Sequence, residues 1–413
     1  MNILFIHQAF PAQFGGLGLG LKRRHGWNVA YIYEEMTTCP APTPEILNEI
    51  QHKCLDLTPD QRERGPMPWP QIQGRFLELC VAVRRALDDL GDFRPDLIVA
   101  HGGRGAPSIL VEEVFKAPLL IYCEYYFAKA HKDISYRIDL PKTEPAEFFP
   151  RCINGPTILS LVHSAGGYSA THWQKSTFPQ RFQPKIEVHF DGVDAELYKP
   201  NPNAPRVFGD KTIPPGVRVV TFVSRGLESI RGFDIFLKVA RNISLRRQDV
   251  VFLVVGAEHV FYGWDQLRSG AMSFRDYCLQ HVQVDLSRFI FMNHVPPEFL
   301  ANVFAISDLH LYLTAPFVLS WSLLNAMSTE TTILASDVDP VREVIEPGVD
   351  GLLEPLFDVD RLTERALEVL EDPAAFRPLG IAARRKILEK YSLNVAVPDL
   401  RDYFERMANQ PRL

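Results

Sequence analysis

Two arginines and one serine are spaced so that they could bind a phosphate group. Arg225 and Arg231 follow a predicted buried strand at residues 219–223. Ser320 follows a second apolar segment, residues 309–313, and is the predicted N-cap of a helix. Guanidinium groups match phosphate oxygens, and the first N–H groups of a helix have no internal partner. The pattern predicts a phosphate or diphosphate site. The alternatives are surface arginines and an ordinary strand-to-helix turn.

Two further polar residues stand where strands of the first half end. His101 follows a predicted strand at residues 96–100, and Glu124 follows another at residues 119–122. In open α/β sheets, ligands lie outside the carboxyl ends of the strands. Both side chains could therefore take part in chemistry, although ordinary loop residues would look the same.

Residues of this kind are positioned by a β-sheet, and each half of the chain has the sequence pattern of a sheet. Apolar strands alternate with helices from residue 3 onwards, which predicts parallel βαβ arrays. Residues 3–6 are the first strand, residues 7–14 a loop and residues 17–24 a helix that Gly15 and Gly16 precede. No G-x-G-x-x-G follows the first strand, so a fold of the dehydrogenase type is disfavoured. Residues 199–215 contain five prolines and are the predicted linker.

Composition excludes several classes of protein. The chain has 413 residues, too many for one core, and a net charge of −6, which argues against nucleic-acid binding. Six cysteines without a C-x-x-C pair favour free thiols in a reducing compartment. The first residues lack a basic segment and a cleavage site, so they are predicted to be a strand rather than a signal peptide. No apolar run is long enough to cross a membrane.

At this point the sequence resembles a known family, the family-4 retaining glycosyltransferases of the GT-B fold. It is most similar to a subgroup of bacterial polysaccharide transferases. The resemblance follows the chain in order over nearly its whole length. It is carried by residues 5–14 (FIHQAFPAQF), 95–102 (PDLIVAHG), 122–126 (YCEYY), 169–174 (SATHWQ), 191–194 (DGVD), 224–228 (SRGLE), 231–233 (RGF) and 311–327 (LYLTAPFVLSWSLLNAM).

The resemblance implies an α/β architecture of two Rossmann-like domains facing across a cleft. The expected bounds are residues 1–198 for an acceptor-side domain, joined by a returning C-terminal helix at about 396–413, and residues 199–395 for a nucleotide-sugar-binding domain. It also implies the residues of the donor site. These are the diphosphate-binding Arg225 and Arg231, the glycines Gly15 and Gly16, the base-binding His294 and Val295, the sugar- and phosphate-binding backbone of Val318, Leu319 and Ser320, and the positions of Phe317 and Asn325.

The sequence departs from the family pattern at several of these positions. Phe317 and Asn325 occupy the positions of the two glutamates of the E-x7-E motif, the second of which usually binds the ribose. Residues 328–330 are Ser-Thr-Glu, where the family has a small residue, Cys and Gly. Near His101, Arg104 and Ala106 replace an expected Trp and Glu. A relative with weakened or no catalysis is therefore an alternative, and a nucleotide-sugar epimerase of the same architecture is a third.

The resemblance implies a hexosyltransferase that moves a sugar from a nucleotide diphosphate sugar, first of all a UDP-sugar, with retention of configuration. The acceptor would be a glycan, a lipid-linked molecule or a small molecule, with His101 and Glu124 orienting acceptor or sugar. Residues 337–339 and 358–360 imitate a D-x-D metal motif, but two arginines and a helix dipole leave no need for a cation, and no cofactor is expected. The expected location is cytoplasmic, with peripheral contact at the inner face of the membrane allowed.

Overall fold

The structure is a computed structural model that describes residues 1–36, 42–55, 81–102, 115–127, 136, 137, 139, 154–262 and 265–410. Its contacts divide the chain into two compact units. The first comprises Met1–Ala128, Glu147–Gly192 and Leu393–Leu413, and the second comprises Lys129–Ala146 and Val193–Ser392. Arg104 and Ala106 lie outside the described residues. Apolar residues recur with helical spacing over residues 71–90, and the first ten of these also lie outside the described residues.

The first unit contains a parallel sheet whose order among the described strands is β3-β2-β1-β4-β5-β6-β7. Its strands are β1 (Asn2–Phe10), β2 (Asn28–Met36), β3 (Gln51–Cys54), β4 (Leu97–His101), β5 (Leu119–Tyr122), β6 (Gly166–Ser169) and β7 (Ile186–Val188). Strand β1 lies inside the sheet, between β2 and β4, and is buried on both faces. Ile3 and Phe5 pack into one core cluster, and Leu4 and Ile6 pack into the other. A continuous apolar run such as residues 3–6 predicts a strand buried on both faces of a parallel sheet, and the structure confirms this.

Helices cover the faces of this sheet. They are α1 (Phe14–His25), α2 (Pro44–Glu49), α3 (Asn154–His163) and α4 (His172–Thr177), and residues 81–88 are also helical. The C-terminal helix Leu393–Ala408 packs against β1 and its neighbours through Val397, Leu400, Tyr403, Phe404 and Met407. In the sequence, Leu400, Tyr403 and Phe404 have the spacing of one apolar helix face, and in the structure all three are buried.

The second unit contains another parallel sheet, with the described order β12-β11-β10-β13-β14-β15, and a small antiparallel hairpin, β8-β9. The strands are β8 (Val207–Phe208), β9 (Lys211–Thr212), β10 (Arg218–Gly226), β11 (Val250–Ala257), β12 (Phe289–Met292), β13 (Leu309–Tyr312), β14 (Ile333–Ser336) and β15 (Leu352–Glu354). The central pair is β10 and β13, and in both sheets the strands run parallel, as two Rossmann-like arrays require.

The helices of the second unit follow its strands in alternation. They are α5 (Phe233–Arg246), α6 (Gln266–Ser269), α7 (Phe274–His281), α8 (Pro297–Ala305), α9 (Trp321–Ser328), α10 (Asp339–Arg342), α11 (Val359–Glu371) and α12 (Pro373–Lys386), followed in the first unit by α13, the C-terminal helix described above. No described helix combines the length and the apolar character that crossing a membrane requires.

Four sequence predictions were wrong in detail. Strand β1 continues to Phe10, so residues 7–10 are strand rather than loop, and Gly15 and Gly16 lie inside the first turn of α1. The sequence pattern near residues 45–54 predicts a short helix, but residues 51–54 form β3. Arg225 belongs to β10, and only Arg231 lies in the connection after it. The predicted linker contains β8 and β9. Propensity missed these elements because pairing with a neighbouring strand, parallel for β1, β3 and β10 and antiparallel for β8 and β9, overrides local preference.

Candidate functional site

Arg231 is positioned by a short turn between β10 and α5. It is the last residue of a 3-10 turn, Ser229–Arg231, and Gly232 follows with φ 68°. A Cβ on Gly232 would lie 2.7 Å from the Cβ of Leu313, which directly follows β13. Only glycine fits both this backbone angle and this close approach. The turn is therefore packed tightly against the end of the neighbouring strand.

The guanidinium of Arg231 is buried and bonded to the loop between β13 and α9. Arg231 is 6% exposed. Its Nη1 donates to the carbonyl of Val318 at 2.9 Å and to the Thr314 hydroxyl at 3.4 Å. It also lies 5.3 Å from the centre of the Phe317 ring. A surface arginine would make none of these contacts, so the alternative of an ordinary solvent-facing residue is excluded for Arg231.

Tyr262 joins the two arginines. Arg225 Nη1 donates to the Tyr262 hydroxyl at 3.2 Å, and the Arg231 guanidinium lies 5.6 Å from the centre of the same ring. Arg225 also stacks on Phe261 at 4.2 Å. Aromatic faces attract cations, so the rings hold two positive groups in one neighbourhood. An anion with several oxygens is the ligand that such a pair would bind best.

A buried glutamate fixes the loop that carries these rings. Glu228 is fully buried, and its Oε2 accepts from the backbone N–H groups of Phe261 and Tyr262 at 2.8 and 2.9 Å. Burial raises its pKa to about 7, although the amide bonds and the charge of Arg231 act in the opposite direction. The Glu-containing segment after β10 thus orders the aromatic partners of both arginines.

His294 lies close enough to Arg225 for the positive charge of Arg225 to affect the pKa of His294. Burial, and after it the positive charge of Arg225, lowers the pKa of His294. Its ring is therefore neutral near pH 7, and its Nδ1 is buried with no hydrogen-bond partner in the described part of the chain. Val295 follows it and is partly buried. A neutral imidazole has one nitrogen that donates a hydrogen bond and one that accepts, so it could bond to either kind of group on a heterocyclic ligand.

The predicted start of α9 is confirmed. Ser320 is the N-cap, and its hydroxyl accepts from the N–H of Ser322 at 3.3 Å. The Ser320 N–H donates to the hydroxyl of Tyr312, the last residue of β13, at 2.9 Å. Phe317 and Val318 are buried, and Leu319 is partly buried. The loop is thus held by its own protein partners, and the Val318 carbonyl already accepts from Arg231.

Asn325 lies one turn after Trp321 on the same helix. Both residues are partly buried, whereas the three residues between them are buried in the core. Positions four apart share one face of an α-helix. Asn325 therefore lies on the less buried face of α9, with the residue that begins the helix.

In the first unit, His101 and Glu124 lie together at the ends of neighbouring strands. The His101 Nε2 is 3.2 Å from Glu124 Oε2, and Gln13 Nε2 donates to Glu124 Oε1 at 2.8 Å. Gln174 donates to the Glu124 carbonyl, and the ring of His7, from β1, lies 4.6 Å from that of His101. The prediction that carboxyl ends of strands collect these residues is confirmed geometrically.

The two glycines of α1 differ in their surroundings. A Cβ on Gly15 would lie 2.4 Å from the Cβ of Pro11, whereas one on Gly16 would meet nothing nearer than Leu393 at 3.8 Å. The packing of α1 thus demands glycine at position 15 and permits alanine at position 16. The expected glycine-rich turn is a helix start in this structure.

Sequence reasoning missed several residues of these clusters. They are His7, Gln13, Gln174, Glu228, Phe261 and Tyr262. His7, Gln13, Gln174 and Glu228 all fall within the segments that carry the resemblance, so these four had a signal. Phe261 and Tyr262 follow β11 by several residues without any pattern that marks them.

The D-x-D sequences have structural roles. Asp337 pairs with Arg342, with Arg342 Nη2 2.7 Å from Asp337 Oδ2, and Asp358 caps α11 by accepting from the N–H of Arg361 at 3.0 Å. No group of three or more metal-ligating side chains occurs among the described residues.

Comparisons with known proteins match two family models to consecutive parts of the chain. One family model, described as the glycosyl transferase family 4 group, matches residues 75–198, and another, glycosyl transferases group 1, matches residues 217–372. The chain is 24% identical over 178 residues to α-D-kanosaminyltransferase of Streptomyces kanamyceticus, a match that covers 43% of each chain. Matches to the curated relatives span less than half of those proteins' lengths.

Solved structures are similar over almost the whole chain. Sucrose-phosphate synthase from Thermosynechococcus elongatus has a TM-score of 0.73 at 15% identity, covering 98% of this chain and 99% of that one. Anabaena Alr3699/HepE in complex with UDP-glucose has a TM-score of 0.67 at 14% identity, covering 98% and 100%. Two glycosyl transferase family models thus match consecutive segments of a chain that has the GT-B fold of two Rossmann-like units.

Proposed function

We propose that this protein is a retaining glycosyltransferase that moves a hexosyl group from a nucleotide diphosphate sugar to an acceptor. The observation that carries the proposal is the pair Arg225 and Arg231, held beside one another by Tyr262. A diphosphate supplies oxygens of the charge and geometry that guanidinium groups bind.

In the proposed reaction, the bond between the sugar C1 and the diphosphate oxygen breaks, and the acceptor oxygen bonds to C1 on the same face. The leaving phosphate oxygen takes the proton of the acceptor. No protein nucleophile is required, and the arginines stabilise the charge that develops on the leaving group. The α9 N-terminus after Ser320 adds its helix dipole to the same charge. Most of the acceleration would come from positioning and charge stabilisation.

The remaining site residues have narrower proposed roles. His294 and Val295 would bind the base, and Phe317, Val318 and Leu319 would shape the sugar and phosphate pocket. Gly15 and Gly16 stay proposed as donor-binding residues. His101 and Glu124 would orient the sugar or the acceptor. Gln13 supports this role because it fixes the Glu124 carboxylate at 2.8 Å.

A UDP-sugar is the proposed donor, because the structure of Alr3699/HepE, similar in fold, is described as a complex with UDP-glucose. We propose a glycan, a lipid-linked molecule or a small molecule as acceptor, and a reaction that needs neither metal nor cofactor. We place the enzyme in the bacterial cytoplasm, with polysaccharide biosynthesis as its context and peripheral contact with the inner face of the membrane.

The direct test measures product formation. The protein is incubated with UDP-, GDP- and ADP-sugars and a panel of acceptors, in EDTA and in magnesium, and released nucleoside diphosphate and glycosylated product are both measured. The proposal predicts release with one donor class, unchanged by EDTA, and a product whose anomeric configuration by NMR matches the donor's. An inverted product would contradict retention, and conversion of the donor without acceptor would favour the epimerase.

A second candidate is a relative that binds nucleotide sugars with weakened catalysis. Asn325 favours it, because a neutral amide replaces the carboxylate expected at the ribose. Binding of UDP without turnover for any acceptor would support this candidate. The ordered arginine pair and the His101–Glu124 contact favour the enzyme, since a site that has lost catalysis has no need of the second cluster.

A further inference from the structure

Arg137 belongs to a different compact unit from the segments before and after it in the sequence. It follows β5 and precedes α3 in the chain, yet the segment Lys129–Ala146 belongs to the second compact unit. Its side chain is 2% exposed, among the most deeply buried large side chains of the described residues. An arginine cannot give up its charge in a protein, so this one must be neutralised where it is.

The partners of Arg137 are the first turn of α5 and the 3-10 turn before it. Its Nη1 donates to the carbonyl of Ser229 at 2.6 Å and to Asp234 Oδ1 at 3.0 Å, and its Nη2 donates to Asp234 Oδ2 at 2.6 Å. Asp139 forms a second ion pair with the same guanidinium. The fork therefore spans one backbone group and two carboxylates, an arrangement that lysine could not reproduce.

Ser229 is held from both sides by buried charged side chains. Arg137 bonds its carbonyl, and Asp265 Oδ2 accepts from its N–H at 2.8 Å. The peptide groups on either side of Ser229 are consequently fixed in orientation. The turn is only three residues long, Ser229–Arg231, so its first residue sets the direction from which Arg231 leaves it.

Arg231 then transmits this orientation to the loop before α9. Its guanidinium is bonded to the Val318 carbonyl and lies over Tyr262, which accepts from Arg225. A rotation of the turn would move all of these contacts together. The described contacts therefore form a continuous path from Arg137 through Ser229 and Arg231 to the arginine pair.

We propose that Arg137 is a positioning residue of the diphosphate site: it fixes the turn from which Arg231 projects, and so sets the geometry of the arginine pair. This inference rests on the proposed function, because it assigns Arg137 to the same site. The plainer alternative is a brace that only stabilises the second unit. Buried ion pairs often add little net stability compared with apolar residues of similar size, whereas they fix geometry well.

Paired variants separate the two roles. Arg137→Met alone leaves the Asp234 carboxylate buried without its partner and should lower the melting temperature. Arg137→Met with Asp234→Leu removes both charges and should recover much of that loss. The affinity for UDP and for UMP is measured by calorimetry with each purified full-length protein, well below its melting temperature.

The inference predicts that the double variant melts close to the wild type but binds UDP about ten-fold more weakly or worse, a loss of about 1.4 kcal/mol. The loss for UMP should be smaller, because the second phosphate depends on the arginine geometry. Recovery of both melting temperature and UDP affinity in the double variant would show a stabilising brace only, and would overturn the inference.

A matched control uses another ion pair of the same unit, between the partly buried Lys386 and the buried Asp350, whose side chains are 21% and 1% exposed. Lys386→Met should lower the melting temperature and leave UDP affinity within about two-fold of the wild type. An equal loss of UDP affinity in this control would also overturn the inference. If the wild-type protein binds none of UDP, GDP and ADP, the proposed function itself is contradicted, and the inference falls with it.

Discussion

Arg231 Nη1 donates to the carbonyl of Val318 at 2.9 Å, and this bond ties the turn after β10 to the loop before α9. Because Arg231 is buried and bonded to the protein, it stabilises the fold in addition to its proposed role in binding a ligand. Arg225, partly buried at the end of β10, contacts aromatic rings and the Tyr262 hydroxyl. Replacing Arg231 should therefore have different effects from replacing Arg225, although both side chains place positive charge in the same region.

The two glycines of α1 provide a prediction about stability. Gly15→Ala should destabilise the protein by about 1–3 kcal/mol, because the new Cβ meets Pro11 at a distance that real Cβ atoms do not show. Gly16→Ala should be neutral or stabilising by up to about 1 kcal/mol, because alanine is favoured over glycine in a helix. Denaturant unfolding of both variants checks this. Equal losses would mean that α1 does not begin as described.

Asp191 provides a prediction about pH. The Tyr122 hydroxyl donates to its Oδ2 at 3.0 Å, and burial raises its pKa to about 7. Below about pH 4 the carboxyl is protonated in both folded and unfolded states, and its contribution to stability is fully present. As the pH rises to 7, only the unfolded state ionises readily, so that contribution is lost.

Asp191→Asn should remove this pH dependence while keeping an acceptor for Tyr122. The difference in unfolding free energy between wild type and variant should fall by up to about 4 kcal/mol from pH 4 to pH 7, since each pKa unit corresponds to about 1.4 kcal/mol. Chemical denaturation across this range checks it. Parallel pH curves for the two proteins would contradict the raised pKa of Asp191.

Asn325 provides a prediction about donor binding. If it bonds the ribose, Asn325→Glu replaces a neutral hydrogen bond with a charged one, worth about 1–2 kcal/mol or roughly ten-fold in donor affinity. UDP affinity and turnover should rise, and partial exposure of the position should spare the fold. Weaker UDP binding at an unchanged melting temperature would mean that Asn325 does not occupy the ribose position.

Sequence patterns predicted the elements that local chemistry determines. The apolar run at Ile3–Ile6 predicted a strand buried on both faces, and Ser320 predicted the start of α9. Burial and N-capping each require particular residue types at particular positions, so both can be read from the local sequence. The strand ends were predicted less well. Val223 ends the apolar run, but pairing with β11 extends β10 to Gly226, and pairing is not a local property.

Some residues of the two clusters stood out in the sequence because a charged or polar side chain follows a predicted strand. His101, Glu124 and Arg231 were found in this way. Arg137 could not be found, since it contacts Ser229 across 92 positions of the chain and stands in no motif. Glu330 shows the physical meaning of one family departure: its φ of 62° is a left-handed conformation, which the glycine usual at this position adopts without strain.

The measurement that tests the central claim most directly is the affinity of Arg225→Ala for UDP, determined by calorimetry beside the wild type and Arg231→Ala. We expect Arg225→Ala to melt close to the wild type and to bind UDP about 2–4 kcal/mol more weakly, because a charge-assisted contact to a desolvated phosphate is lost. Arg231→Ala should lose both affinity and stability, because it also releases Val318. Wild-type UDP affinity in Arg225→Ala would contradict the claim that this arginine pair binds the donor diphosphate.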